Sequence, residues 1–157
     1  VISSTRKEEG EGMDKILLCL VGLPRSGKST WAKDMEYRNE FYPVVNKDAI
    51  RLALHGRRYD QSREGHVHQA CKLMITSLFL AGHKIVCLDE TNTTEIRRNT
   101  CMSREWKVRF KVFATPKEEC IRRAMTVGDI DIVPIIEKMS AQWEPLTEEE
   151  QTRIWKG

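Results

Sequence analysis

An α/β domain built on a mostly parallel sheet follows from three features of the 157-residue sequence. Residues 15–21, KILLCLV, form a continuous apolar run with no helical period, the pattern of a strand buried on both faces. Three further short runs, at 43–45, 84–89 and 107–114, alternate with segments of helical period, as right-handed strand–helix–strand crossovers require. The third feature is the turn that joins the first strand to the first helix, GLPRSGKST, which has the glycine spacing of a phosphate-binding loop.

The elements follow in order. After the loop, helical spacing of Trp31, Ala32 and Met35 predicts a helix from Lys28 to about Arg38. PVV at 43–45 is a second strand. NKDAIRLALHG predicts a helix with Asp48 as a possible cap and Gly56 as its stop. RRYDQSR, 57–63, is a polar, basic loop. Residues 64–81 form an amphipathic helix with Val67, Ala70, Cys71, Met74, Leu78 and Phe79 on one face, ended by Gly82. KIVCLD, 84–89, is a third strand. Residues 94–106 predict a second long helix and 107–114 a fourth strand. Thr115-Pro116 opens a helix to about Met125. TVGDIDI is a loop, and VPIIEKMSAQW a last helix stopped before Pro145. The domain spans residues 13–157, with 1–12 set apart as a polar extension.

Composition is that of an ordinary soluble chain, 40% hydrophobic and 31% charged, with a net charge of +3. Such mild basicity permits anionic partners without demanding them. No run of 18 apolar residues exists, so no membrane-spanning helix is expected. Cys19, Cys71, Cys87, Cys101 and Cys120 are odd in number and lack metal-ligand spacing. They read as buried thiols in a reducing, cytoplasmic compartment. His66 and His68 lie two apart on a helix and face away from each other, which argues against a metal pair. Trp31, Trp106 and Trp143 read as core or near-core residues.

The loop Gly22-Leu23-Pro24-Arg25-Ser26-Gly27-Lys28-Ser29, with Thr30 behind it, satisfies G-x-x-x-x-G-K-[ST] in full. Its glycines let successive backbone N–H groups turn inward, and the following helix adds its positive end. Lys28 would bridge the β- and γ-phosphates of ATP, and the Ser29 hydroxyl would ligate Mg²⁺. A GTPase reading fails: NKD at 46–48 is unspaced and early, and the third strand ends Asp89-Glu90-Thr91-Asn92 without the switch glycine.

Four segments in order, GKSTWAK, NKDAIR, LDETNTTEIRR and FKVFATPKEECIRRAM, resemble the kinase domain of phage T4-type polynucleotide 5′-kinases, within the small P-loop kinases. The similarity runs over about residues 16–145. It implies a P-loop kinase-like three-layer sandwich with four to five strands, acting intracellularly in a phage-type setting. The implied reaction is transfer of the γ-phosphate of ATP to the 5′-hydroxyl of DNA or RNA. It places Asp48 where the family has its catalytic aspartate, and Arg51 where an arginine holds the acceptor's phosphate. Asp89, Glu90, Thr91 and Asn92 would approach the acceptor or the metal, with Asp89 and Glu90 left undecided. Arg97 and Arg98 match paired arginines whose plainer reading is a solvated helix face. Arg123 would contact the nucleotide. The resemblance weakens at Val127, which stands where the family has a lid arginine, beside Asp129 and Asp131, which would repel phosphate. Arg25 is one candidate replacement. Two other readings remain at this level: a kinase of a small-molecule hydroxyl, and a non-catalytic nucleotide-binding module. Oligomeric state is not legible.

Overall fold

The computed structural model describes residues 14–37, 42–56 and 58–157. The extension at 1–12, the end of the first helix at Arg38 and the first basic-loop residue, Arg57, lie outside the described residues. Strands β1 (Ile16–Val21), β2 (Val44–Asn46), β3 (Ile85–Asp89) and β4 (Lys107–Val112) form one parallel sheet in the order β2-β3-β1-β4. A parallel bridge from Phe110 to Ile154 adds the beginning of a fifth strand beside β4. It rests on Phe110 N–H to Arg153 O and Trp155 N–H to Phe110 O, each 2.8 Å.

The helices are α1 (Lys28–Tyr37), α2 (Lys47–His55), α3 (Glu64–Leu80), α4 (Glu95–Asn99), α5 (Lys117–Thr126), α6 (Val133–Ala141) and α7 (Glu148–Gln151). β1 sits between two layers. Leu17, Cys19 and Val21 pack with Val67, Cys71, Ile75 and Phe79 of α3, while Leu18 and Leu20 face Ala32 of α1. The alternation of β1 side chains between helices on its two faces is why the run reads as wholly apolar. Burial of each such side chain contributes about 1.5–3 kcal/mol.

Two local expectations are corrected, and the tail adds a helix. On α3 the buried stripe runs 67, 71, 75, 79, so Ile75 is inside and Met74 is exposed. The helix predicted over 94–106 stops at Asn99. Trp106 is instead drawn into the core against Phe79, ring centroids 5.6 Å apart, and its indole N–H donates to Cys101 O at 2.9 Å. A continued helix would exclude that packing. The tail carries α7, opened by a capping box in which the Thr147 hydroxyl and the Glu150 carboxylate bond each other's backbone N–H. The T-x-x-E signature for it is present in the sequence.

All five cysteines are free and buried. Burial pushes the Cys71 and Cys87 thiols up to about 12, so they stay protonated and unreactive at neutral pH. Among the described residues no helix is long and apolar enough to cross a membrane.

Candidate active site

The carboxyl end of a parallel sheet is where ligands bind in open α/β folds. Here that end opens into a cleft of about 700 Å³, lined by the phosphate loop, the start of α2, the loop after β3, and α4 to α6. The loop between β1 and α1 has the geometry its glycines promised. A Cβ at Gly22 would lie 2.5 Å from Ser26 Oγ and 3.0 Å from Phe113 Cβ, so only glycine allows this approach. Gly27 has φ +102, and Arg25 shares the left-handed region at φ 65. The Thr115 hydroxyl donates to Ser26 O at 2.9 Å and ties the loop to the segment after β4.

Lys28 is buried, and its ammonium donates to Gly22 O at 2.9 Å and Leu23 O at 2.7 Å. Burial lowers its pKa to about 8, partly opposed by Asp89. A bound triphosphate would favour the charged form and raise that value again. ATP binding at about pH 8.5 should therefore take up protons. Calorimetry in buffers of different ionisation heat reads this directly. Lys28→Met should abolish the uptake, and buffer-independent heats for the parent would refute it.

The two acids at the end of β3 both line the cleft, and they take different partners. Asp89 is buried, and one of its oxygens, Oδ2, accepts from the Ser29 hydroxyl at 2.7 Å and from the Asn46 amide at 3.0 Å. Glu90 turns to Lys47, 2.9 Å away. Ser29 and Asp89 thus present adjacent hard oxygen ligands. That donor set suits Mg²⁺, which is held by one or two carboxylates plus substrate phosphates. No cluster of three or more His, Cys, Asp or Glu able to hold a metal occurs among the described residues.

Asp48 is not the cap of α2. Asn46 is, its side-chain oxygen accepting Ala49 N–H at 2.8 Å. Asp48 lies in the first turn with its carboxylate exposed at the cleft. Arg51, one turn on, donates to Asp48 Oδ1 at 2.7 Å. It also grips Glu64 of α3 with two bonds, 2.6 and 3.3 Å, under the ring of Tyr59. Burial weighs against the Arg51 charge, and Glu64 and then Asp48 more than offset it. Glu64 was not singled out from sequence. Its pairing crosses from one helix to another, which no local pattern announces.

Val127 lines the cleft and is exposed, so no cation stands at that position. Asp129, expected with Asp131 to repel phosphate, is paired. Asp129 accepts from Arg25 of the phosphate loop at 2.9 Å and from Arg58 at 3.1 and 3.2 Å. Arg58 and then Arg25 hold its carboxyl below the usual range. One carboxylate therefore gathers two guanidinium groups at the cleft, and Asp131 also acts on Arg58. Arg123 donates to Glu119 and to Arg25 O, 3.1 Å in each case, and also lines the cleft.

Five candidates do not line the cleft, Asn92, Arg98 and three phosphate-loop residues. Asn92 is fully buried at φ 47 and donates its amide to Leu20 O at 2.9 Å. Its side chain fastens the loop to β1 and cannot reach an acceptor. Arg98 is not on a solvated face. It is fully buried against Glu150 at 2.7 and 3.1 Å. Gly22, Leu23 and Ser26 shape the loop from behind, whereas Pro24, Arg25, Gly27, Lys28, Ser29, Thr30 and Thr91 line the cleft.

Solved structures share the fold. A chain in the structure of the Pnkp1/Rnl/Hen1 complex matches at 27% identity and TM-score 0.63 over 69% of this chain, which spans 38% of that chain. A chain in the structure of the Pnkp1/Rnl/Hen1 RNA repair complex matches at 20% identity and TM-score 0.62, over 83% of this chain and 46% of that one. The present chain thus spans less than half the length of either. A gluconokinase from Sinorhizobium meliloti 1021 shares the fold at 16% identity and TM-score 0.60, over 87% of this chain and 78% of that one. The family model described as an AAA domain matches residues 17–126, from the second residue of β1 to the last of α5. With the phosphate loop, its lysine and the acid beside its serine all inside that span, the chain belongs to this AAA domain family, on a P-loop kinase-like fold.

Proposed function

We propose that the protein transfers the γ-phosphate of ATP to a hydroxyl, and that this hydroxyl is the 5′ end of a nucleic acid. The observation that carries the reading is the content of one cleft. Lys28 and the Ser29–Asp89 pair stand at the phosphate loop, and the exposed carboxylate of Asp48 shares the same space. Phosphoryl transfer needs this division, with positive charge around the phosphates and an acid that aims the acceptor and accepts its proton. Mg²⁺ held by Ser29 and Asp89 would offset charge on the β- and γ-oxygens. Arg25 of the phosphate loop lines the cleft where Val127 brings no charge, and on leaving Asp129 it would offset charge on the phosphates. The likeness to chains of the Pnkp1/Rnl/Hen1 complex, in one case described as an RNA repair complex, supports the nucleic-acid acceptor.

A second reading, a small-molecule hydroxyl, is favoured by the Glu64–Arg51 pair, which occupies the arginine expected to hold an acceptor phosphate.

The test is label transfer from γ-labelled ATP to a 5′-hydroxyl oligonucleotide with Mg²⁺. Transfer is expected, with loss in Lys28→Ala. No label on oligonucleotides, with label on a sugar or nucleoside, would replace the first acceptor class by the second.

A further inference from the structure

We propose that Arg97 of α4 and Lys138 of α6 form an anion subsite that takes a phosphate ester carried by the acceptor itself. This rests on the kinase reading and names the class of its second substrate. The argument is a census of the cations around the cleft.

Six of the basic side chains lining the cleft already have strong partners. Arg25 and Arg58 share Asp129, Lys47 has Glu90, and Arg123 has Glu119. Lys28 is bonded to loop carbonyls. Arg51 is held by three bonds from two carboxylates, so an acceptor phosphate there would have to displace Glu64. The resemblance pointed to Arg51 for that task, and the contacts direct it elsewhere.

Arg97 and Lys138 differ. Among the described residues, neither side chain has an ion pair or a hydrogen bond, yet both line the cleft. Gln142, the residue that ends α6 one turn beyond Lys138, lines the cleft too and adds an amide. Hydrogen bonds tie the two parts of this wall together. Glu144 N–H donates to Thr93 O at 2.9 Å, and buried Arg98 bonds both Asn92 O and Glu144 O. Two uncompensated cations on one concave surface favour an anion, which can take charge-assisted bonds from both without displacing a carboxylate. A phosphodiester next to the reacting nucleotide and the phosphate of a phosphorylated metabolite share that chemistry.

The experiment uses the full chain and four acceptors: adenosine, adenosine 3′-monophosphate, a 5′-hydroxyl dinucleotide, and glucose 6-phosphate. For each, kcat/KM for label transfer from ATP is measured, and equilibrium binding of adenosine and adenosine 3′-monophosphate is followed by calorimetry. The parent should prefer phosphate-bearing acceptors. Arg97→Gln and Lys138→Gln should each lower that preference by about tenfold or more. Lys138→Arg, which keeps the charge, should retain most of it. Response on the dinucleotide alone assigns the ester to a nucleic acid, and response on the sugar phosphate assigns it to a metabolite. Equal preference in parent and variants, in transfer and in binding, overturns the subsite. Binding of adenosine 3′-monophosphate that depends on Arg97 and Lys138, without transfer to any acceptor, leaves the subsite standing and removes the kinase reading.

Discussion

Asp48→Asn should lower phosphoryl transfer by about 10²–10⁴-fold, while ATP still protects the fold against heat. The carboxylate is exposed at the cleft and engages Arg51 through one oxygen. An amide in its place keeps the shape but cannot accept the acceptor's proton. The substitution is diagnostic because Asp48 has little structural duty. Asn46 caps α2, and Glu64 still holds Arg51. Single-turnover transfer measures the chemical step, and a thermal shift with ATP and Mg²⁺ measures binding. A variant that transfers at the parental rate removes Asp48 from the reaction. One that loses the ATP-dependent shift as well shows instead that Asp48 acts on the nucleotide.

Arg98→Ala should destabilise the fold by about 3–5 kcal/mol, the range seen when one partner of a buried ion pair is removed. Its guanidinium is fully buried and makes five bonds: two to Glu150, and one each to the carbonyls of Asn92, Glu144 and Pro145. It therefore clamps the loop after β3, the segment after α6, and α7. Removing it leaves the Glu150 carboxylate buried without its counter-charge. Burial pushes the Glu150 carboxyl up, and Arg98 with Thr147 more than reverses this, so its folded pKa lies below the ordinary carboxylate value. The stability from this pair is present above the unfolded pKa of Glu150 and is lost as pH falls through the folded one. Against a total of about 5–15 kcal/mol, the single substitution threatens folding at physiological temperature. Urea denaturation at neutral pH measures it. Arg98→Met with Glu150→Leu, which removes both charges, should recover much of the loss. A loss below about 1 kcal/mol in Arg98→Ala, the level of an exposed pair, would refute the clamp.

Most of the sheet and the phosphate loop were legible because their signals are local. A strand buried on both faces is apolar throughout, and a loop whose N–H groups must converge needs glycine at 22 and 27. Length was less legible in α4, where Trp106 leaves the helical path to reach Phe79, a preference set by a residue far away in sequence. The same holds for α3, where a mixed apolar face left Met74 and Ile75 undistinguished until the sheet selected one.

The site divides along the same line. Sequence alone determined that a phosphate loop with Lys28 and Ser29 follows the first strand, and that acids stand after the second and third. It did so because motif chemistry is written in neighbouring residues. Only the tertiary structure decided that Asp89 meets Ser29, that Asn46 rather than Asp48 caps α2, and that Arg98 is interior. It also decided that Asp129 gathers Arg25 and Arg58 and that Glu64 engages Arg51. Each of these is a pairing of charges or polar groups across distant segments. Which acid meets which base depends on where the packed elements bring their side chains, and on the cost of leaving any of them buried without a partner.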